Sequence, residues 1–298
     1  MNFPTITPIW QIHLCGSRNI TTNGTSPSTG TLLPLGKKES VIKSSPDNIF
    51  LVESSCNPRP TYRAWCAVES WAAQNPGGKV WYVMTSPYYE DLTGMVQKLL
   101  TTYPNLQIVA LDLSEVFNGT PLHEFFASLK WTQNTAWPEI QLSDLMRVAL
   151  VWTFGGYYSD TDTICINDSS RLHNVIGFQN YQEIANGQFH AEPNHTFMLE
   201  IMKHMVKTYE PGVWGSLGPK CFTEVGAKLC GGPLAQKQKP FECANMTFLA
   251  PTAFFPVYWS SYQYLLEKNK GTNLQQVQNH FYLLSHSYRL TVLCGREL

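Results

Sequence analysis

Apolar positions recur in two rhythms along most of this 298-residue chain. Compact apolar runs at 49–52, 80–84, 106–111 and 174–178 predict strands, and periodic segments at 62–73, 92–100, 197–208 and 221–229 predict helices. Asn75-Pro76-Gly77-Gly78 marks the end of the first helix. Strand–helix alternation of this kind predicts an α/β fold: a mostly parallel central sheet flanked by helices. The most informative stretch lies mid-chain. Leu142, Leu145, Met146, Ala149, Leu150 and Trp152 form an apolar stripe at helical spacing. Ser143 is placed to cap that helix, and Gly155 and Gly156 supply the left-handed backbone that stops it. A short strand after the glycines then runs into two carboxylates one residue apart, Asp160 and Asp162. No internal repeat is visible.

Alternate residues of an extended segment point the same way, so Asp160 and Asp162 present hard oxygen ligands to one pocket. Such a pair suits Mg²⁺ or Mn²⁺, especially beside a diphosphate. In α/β proteins, ligands sit beyond the carboxyl ends of the strands, which is where this pair falls. Asp144 and Arg147 stand three apart on one helix face, and the arginine offers a planar fork for oxyanions. If Arg147 grips a ligand in this way, Arg147→Lys weakens binding and leaves stability nearly unchanged. Asp160-Thr161-Asp162-Thr163 also matches the nucleophile motif of haloacid-dehalogenase-type phosphatases. Those enzymes need a later acidic pair, whereas Asp168 is the last aspartate here and no two acidic residues adjoin after it.

The frame Leu142-Ser143-Asp144 through Arg147, Leu150, Gly155-Gly156, Tyr158, Asp160 and Asp162 resembles the sugar-nucleotide site of the α-1,4-glycosyltransferases, a family with a DxD sugar-binding motif. Asn186-Gly187-Gln188-Phe189, Trp214 through Thr223 with its Gly218-Pro219, and Ala250 through Val257 resemble further family segments, in the same order. The resemblance spans about residues 48–290. It implies a GT-A-type Rossmann-like domain that transfers a hexose from a UDP-sugar to a glycolipid or glycan acceptor with retention, forming an α-1,4 linkage. It also implies a Mn²⁺ or Mg²⁺ cofactor. Asp160 and Asp162 become metal ligands, and Asp144, Arg147, Tyr158, Asn186, Gly187, Gly218 and Pro219 line the substrate site. By analogy a late histidine, His286, closes the metal site. The family carries His-x-Trp-Asn there, whereas this chain has Tyr288 and Arg289 after His286. A homologue that binds sugar nucleotide or glycan without transferring it therefore remains the alternative.

Composition narrows the partners. Hydrophobic residues make up 43% and charged residues 14%, enough for a large core, and a net charge of −1 gives no basic patch for nucleic acid. The Ser, Thr, Gly and Pro content of residues 16–47 reads as a flexible stem, so residues 1–47 are expected to precede a glycosyltransferase domain over 48–298. That domain divides into a nucleotide-sugar half (48–168) and an acceptor half (169–298). Asn-x-Ser/Thr sites at Asn19, Asn23, Asn118, Asn167, Asn194 and Asn245 point to a secretory route. The resemblance likewise implies the Golgi lumen or membrane. Yet no apolar run reaches the ~18 residues of a membrane span, and Pro4, Pro8, Gln11 and His13 interrupt any signal-peptide core. None of the eight cysteines falls in a Cys-x-x-Cys pair; Cys230 and Cys243 are placed to close a short loop, and Cys165 reads as a buried hydrophobe.

Overall fold

The computed structural model describes residues 41–234 and 240–255, together with residues 10, 14–15, 30–33, 35–36 and 283–285. Its strands are β1 (Gly30–Leu32), β2 (Leu35–Gly36), β3 (Asn48–Glu53), β4 (Lys79–Met84), β5 (Tyr88–Glu90) and β6 (Leu106–Leu111). They continue as β7 (Gly156–Ser159), β8 (Thr163–Cys165), β9 (Val175–Phe178), β10 (Ile184–Ala191), β11 (Phe241–Cys243), β12 (Met246–Leu249) and β13 (Leu283–Ser285). The helices are α1 (Tyr62–Gln74), α2 (Met95–Thr102), α3 (Leu113–Phe117), α4 (His123–Ala127), α5 (Pro138–Phe154), α6 (Thr196–Thr208) and α7 (Pro219–Leu229).

Nine strands form one sheet in the order β11-β12-β9-β10-β7-β3-β4-β6-β2. The run from β7 to β2 is parallel throughout, as is the β12–β9 pair, while β10 inserts antiparallel between β9 and β7. The sheet is thus mostly parallel, and it crosses the expected boundary at residue 168 without a break. Alternation along β3 sorts its side chains between two layers: Phe50 and Val52 join one core, Ile49 and Leu51 the other. The α5 helix covers the first layer, and Trp65, Val68 and Trp71 of α1 cover the second.

Most predicted elements appear close to their expected bounds, and the shifts have local causes. The α2 helix starts at Met95 rather than 92 because Gly94, at φ 73°, lies outside helical space. The α5 helix starts at Pro138, so Ser143 is interior and is not its cap; proline at the first position pre-sets φ and gives up an N–H that would lack a partner. Eleven of its residues are buried, on every side, so its apolar stripe does not reveal where it begins. Gly155, at φ 71°, ends the helix, and a Cβ on Gly156 would come within 2.2 Å of the Asn48 carbonyl oxygen.

The described part of residues 1–47, expected as a flexible stem or truncated leader, carries packed segments. Strands β1 and β2 pair with β5 and β6, and Trp10, Cys15 and Ile42 are buried in the first core. Polar composition masked these few apolar anchors. Cys15 and Cys56 form a disulfide, as do Cys230 and Cys243, the latter with Cα atoms 5.8 Å apart. Cys165 is free and buried, its thiol pushed up to about 12 by burial. No helix among the described residues is long and apolar enough to cross a membrane.

His190, buried on β10, is locked in one neutral tautomer. Its Nδ1 accepts from the Asn174 N–H at 2.9 Å, which leaves Nε2–H to donate to the Pro46 carbonyl at 2.9 Å. Burial lowers its pKa to about 4, against 6.5 for an ordinary imidazole. The unfolded chain therefore takes up this proton first as pH falls, and the stability due to a neutral His190 is full above pH 6.5 and drains away towards pH 4. Between pH 7 and 4.5 the loss amounts to about 2–3 kcal/mol. Urea unfolding of wild type and His190→Gln at both pH values checks this: the variant should lack that part of the acid sensitivity. The comparison isolates His190 from carboxyls with raised pKa, which act with the opposite sign.

Candidate active site

Asp160 follows β7 directly, and its backbone N–H bonds the Gly187 carbonyl of β10 at 2.9 Å. Its carboxylate is oriented by two neighbours through Oδ1: the Tyr158 hydroxyl donates to it at 2.8 Å, and Arg147 Nη1 lies 3.0 Å away. The Arg147 side chain is only 5% exposed. A guanidinium has five N–H donors, and here five protein acceptors surround it. Nη1 reaches Asp160 and the Asn186 carbonyl (2.9 Å); Nη2 reaches Ser143 Oγ (3.0 Å) and Asp144 Oδ1 (3.1 Å); Nε reaches the Ser143 carbonyl (3.2 Å). The fork expected to grip a donor oxyanion is engaged with the protein itself. Its plane also lies 4.6 Å from the centroid of the Tyr158 ring. Burial alone would lower the Arg147 pKa, but the surrounding carboxylates, Asp160 first, outweigh it and raise it. The Tyr158 phenol, raised by burial, stays protonated and remains a donor.

Asp144, also buried, accepts from Asn186 Nδ2 at 2.7 Å. Burial lifts its carboxyl to about 6, with Arg147 pulling the other way. Asn186 in turn packs under Gly218, the residue before Pro219 and α7, where a Cβ would stand 3.0 Å from Asn186 Nδ2. A Cβ on Gly187 would stand 2.5 Å from Asp160 Oδ2, so this glycine leaves room for the carboxylate. The ladder between β10 and β9 shifts register between Ile184 and Phe189, and Asn186 and Gly187 lie within that irregularity. Their carbonyls turn to Arg147 and to the Asp160 N–H.

Asp162 lies two residues on and is solvent-exposed. Its carboxyl is raised to about 6, first by the protein around it and then by the like charge of Asp160. Contacts thus bring Asp144, Arg147, Tyr158, Asp160, Asn186, Gly187 and Gly218 into one cluster, with Pro219 at its border. His286 lies outside the described residues; Ser285, just before it in the chain, pairs with Thr163. Among the described residues no three His, Cys, Asp or Glu side chains group as a metal cage. Sequence reasoning missed two polar members. Ser143 links Arg147 to the Tyr158 hydroxyl, and buried Gln188 donates to Thr163 Oγ1 while its Oε1 has no partner. Gln188 sits two residues after Asn186, a period-two signal readable only once β10 is recognised as a strand.

Residues 61–182 match a family model described as a glycosyltransferase sugar-binding region containing the DXD motif, and residues 190–291 match the α-1,4-glycosyltransferase conserved region. Lactosylceramide 4-α-galactosyltransferase of Mus musculus is 34% identical over 247 residues, covering 80% of this chain and 67% of that protein. The chain belongs to the α-1,4-glycosyltransferase family. The Homo sapiens protein of the same name is 34% identical over 258 residues (83% of this chain, 69% of that one). The α-1,4-N-acetylglucosaminyltransferase of Homo sapiens is 28% identical over 220 residues (72% and 64%). The chain therefore spans about two thirds of these relatives' length. Among solved structures, one titled PaToxG Glycosyltransferase aligns with a TM-score of 0.47 and 17% identity, covering 61% of this chain and 68% of that one. Within this α-1,4-glycosyltransferase, the sugar-binding match contains Asp144, Arg147, Tyr158, Asp160 and Asp162, and the other match contains Gly218, Pro219 and His286.

Proposed function

We propose that this chain is a retaining, GT-A-type hexosyltransferase that moves galactose or N-acetylglucosamine from a UDP-sugar to a terminal sugar of a glycolipid or glycan, forming an α-1,4 linkage. The carrying observation is Asp160. Tyr158 and Arg147 fix its Oδ1, Gly187 clears space around its Oδ2, and the exposed Asp162 repels it from nearby. Two mutually repelling carboxylates are a donor set that a hard divalent cation satisfies. Asp160 and Asp162 would hold Mn²⁺ or Mg²⁺, and His286 would complete the site, since the residue before it pairs with the residue after Asp162. Such a cation, when bound, neutralises charge on a diphosphate leaving group.

The remaining roles fall to the chain's own groups. Arg147 is a positioning residue: all five donors hold Asp160, Asp144, Ser143 and Asn186 in register. Tyr158, Asn186, Gly187, Gly218 and Pro219 shape the wall against which the donor sugar lies. Retention by a covalent route needs a carboxylate behind the anomeric carbon. Asp144 is tied to Arg147 and Asn186, no aspartate follows Asp168, and Glu192, the glutamate nearest the expected acceptor loop, falls on no family motif. We therefore favour attack from the leaving-group face. The acceptor hydroxyl oxygen bonds the anomeric carbon as its bond to UDP breaks, and the hydroxyl proton passes to the departing diphosphate oxygen. The family expectation, the Cys15–Cys56 and Cys230–Cys243 disulfides and exposed acceptor asparagines at Asn118, Asn194 and Asn245 support an oxidising, Golgi-type lumen.

Incubating the protein with Mn²⁺, each UDP-sugar, and lactose-ended or N-acetylglucosamine-ended acceptors tests the reading. Product with one donor–acceptor pair supports it, and donor binding without any UDP release identifies a non-transferring homologue. Gly187→Ala gives a finer check. The added methyl must displace Asp160, so transfer should fall by about 100-fold or more while the melting temperature changes little, as read by product assay and calorimetry.

A further inference from the structure

Beside the carboxylate cluster stand two tryptophans, Trp214 exposed and Trp137 half-buried, that none of the roles above uses. Trp214 is 60% exposed, and its ring meets that of Trp137 edge-on, with centroids 5.1 Å apart and planes at 81°. Ile140, one turn into α5 from Trp137, and Val213 are also exposed. The Trp214 loop is built to hold its shape. Val213 bonds Glu210, Ser216 bonds both Val213 and Glu210, Gly218 bonds Gly215, and Leu217 is buried as its anchor.

Place in the fold indicates what this surface meets. Trp137 occupies the N-cap position of α5 and Asp144 follows seven residues later, about two turns or 10 Å along the axis. The Trp214 loop ends at Gly218, against Asn186 and hence Asp144. An exposed indole face at the border of a sugar site suits the apolar C–H face of a second pyranose ring. The charges nearby argue against an anionic membrane surface, which calls for clustered Lys or Arg. They are Glu139, Glu210 and Lys220, and Lys220 is 3.2 Å from Glu210.

We propose that Trp214 and Trp137 form an acceptor subsite that stacks the penultimate sugar of the glycan whose terminal sugar is glycosylated. The inference rests on the transferase reading, but its test does not depend on turnover. Lactose-ended and N-acetylglucosamine-ended oligosaccharides are titrated against wild type, Trp214→Ala and Trp214→Phe, with saturation-transfer NMR reading sugar binding and calorimetry reading UDP affinity. Trp214→Ala should weaken oligosaccharide binding about tenfold, Trp214→Phe should retain most of it, and UDP affinity should change less than twofold. Where turnover is present, the acceptor KM should rise about tenfold for Trp214→Ala. Wild-type oligosaccharide binding by Trp214→Ala would overturn the subsite while leaving the transferase intact. Wild type that binds oligosaccharide without turning over any donor would instead fault the transferase reading alone. Loss of adsorption to phosphatidylcholine–phosphatidylserine vesicles in Trp214→Ala, with sugar binding intact, would reassign the pair to a membrane surface.

Discussion

Asp162→Asn should abolish hexose transfer, by about 1,000-fold or more at saturating Mn²⁺, without unfolding the protein. Asparagine keeps the size of the side chain and one oxygen but removes the charge that a divalent cation needs. The stability side of the experiment has a defined sign. Asp162 is raised to about 6 in the folded chain, so at neutral pH, where it is still mostly ionised, its charge weakens the fold. Neutralising it relieves repulsion with Asp160, and the apo melting temperature should hold or rise slightly. Product assay together with apo calorimetry checks both halves. Wild-type turnover would remove Asp162 from the metal site, and a collapsed melting temperature would make it a structural residue.

Arg147→Lys should be costly in a different way. Lysine brings three donors on one nitrogen where the structure uses five on a planar fork, so it cannot hold Asp144, Asp160, Ser143 and Asn186 together. Leaving the buried Asp144 carboxylate poorly compensated costs about 3 kcal/mol, which corresponds to a fall of roughly 6–12 °C in Tm for a domain of this size. Transfer should fall as well, because Asp160 loses one of its two orienting partners. Calorimetry of the apo protein and UDP-sugar titration separate the effects. An unchanged apo melting temperature with weakened donor binding would return Arg147 to the ligand-contacting role that its place in the motif suggests.

That contrast marks how far the sequence could be read. Asp144, Arg147, Tyr158 and Asp160 are legible as a group because one helix, two glycines and one short strand carry them all within a few turns of chain. Their partners Asn186 and Gly187 arrive from an antiparallel strand with a shifted register, and neither the strand nor its shift leaves a periodic signal. Without them, Arg147 looks like a free cation. The helix onset was obscured for a related reason: α5 is buried on all sides, so its pattern marks no boundary. The parallel strands β3, β4 and β6 stand out most clearly, since burial on both faces writes them as nearly continuous apolar runs, broken in β6 only by the exposed Gln107.

The Cys230–Cys243 bond has a practical consequence for anyone handling this protein. It ties the end of α7 to β11, an outer strand four places from β7 in the sheet, across a separation of 13 residues. A protease cut between the two cysteines leaves both fragments joined, so they migrate as one band without reductant and as two with it. Lengthening a loop costs only ~0.6 kcal/mol per doubling, and here both ends are pinned covalently. An epitope tag or fluorophore-bearing peptide spliced into this ring gives a labelled protein whose insert is held at both ends by the disulfide.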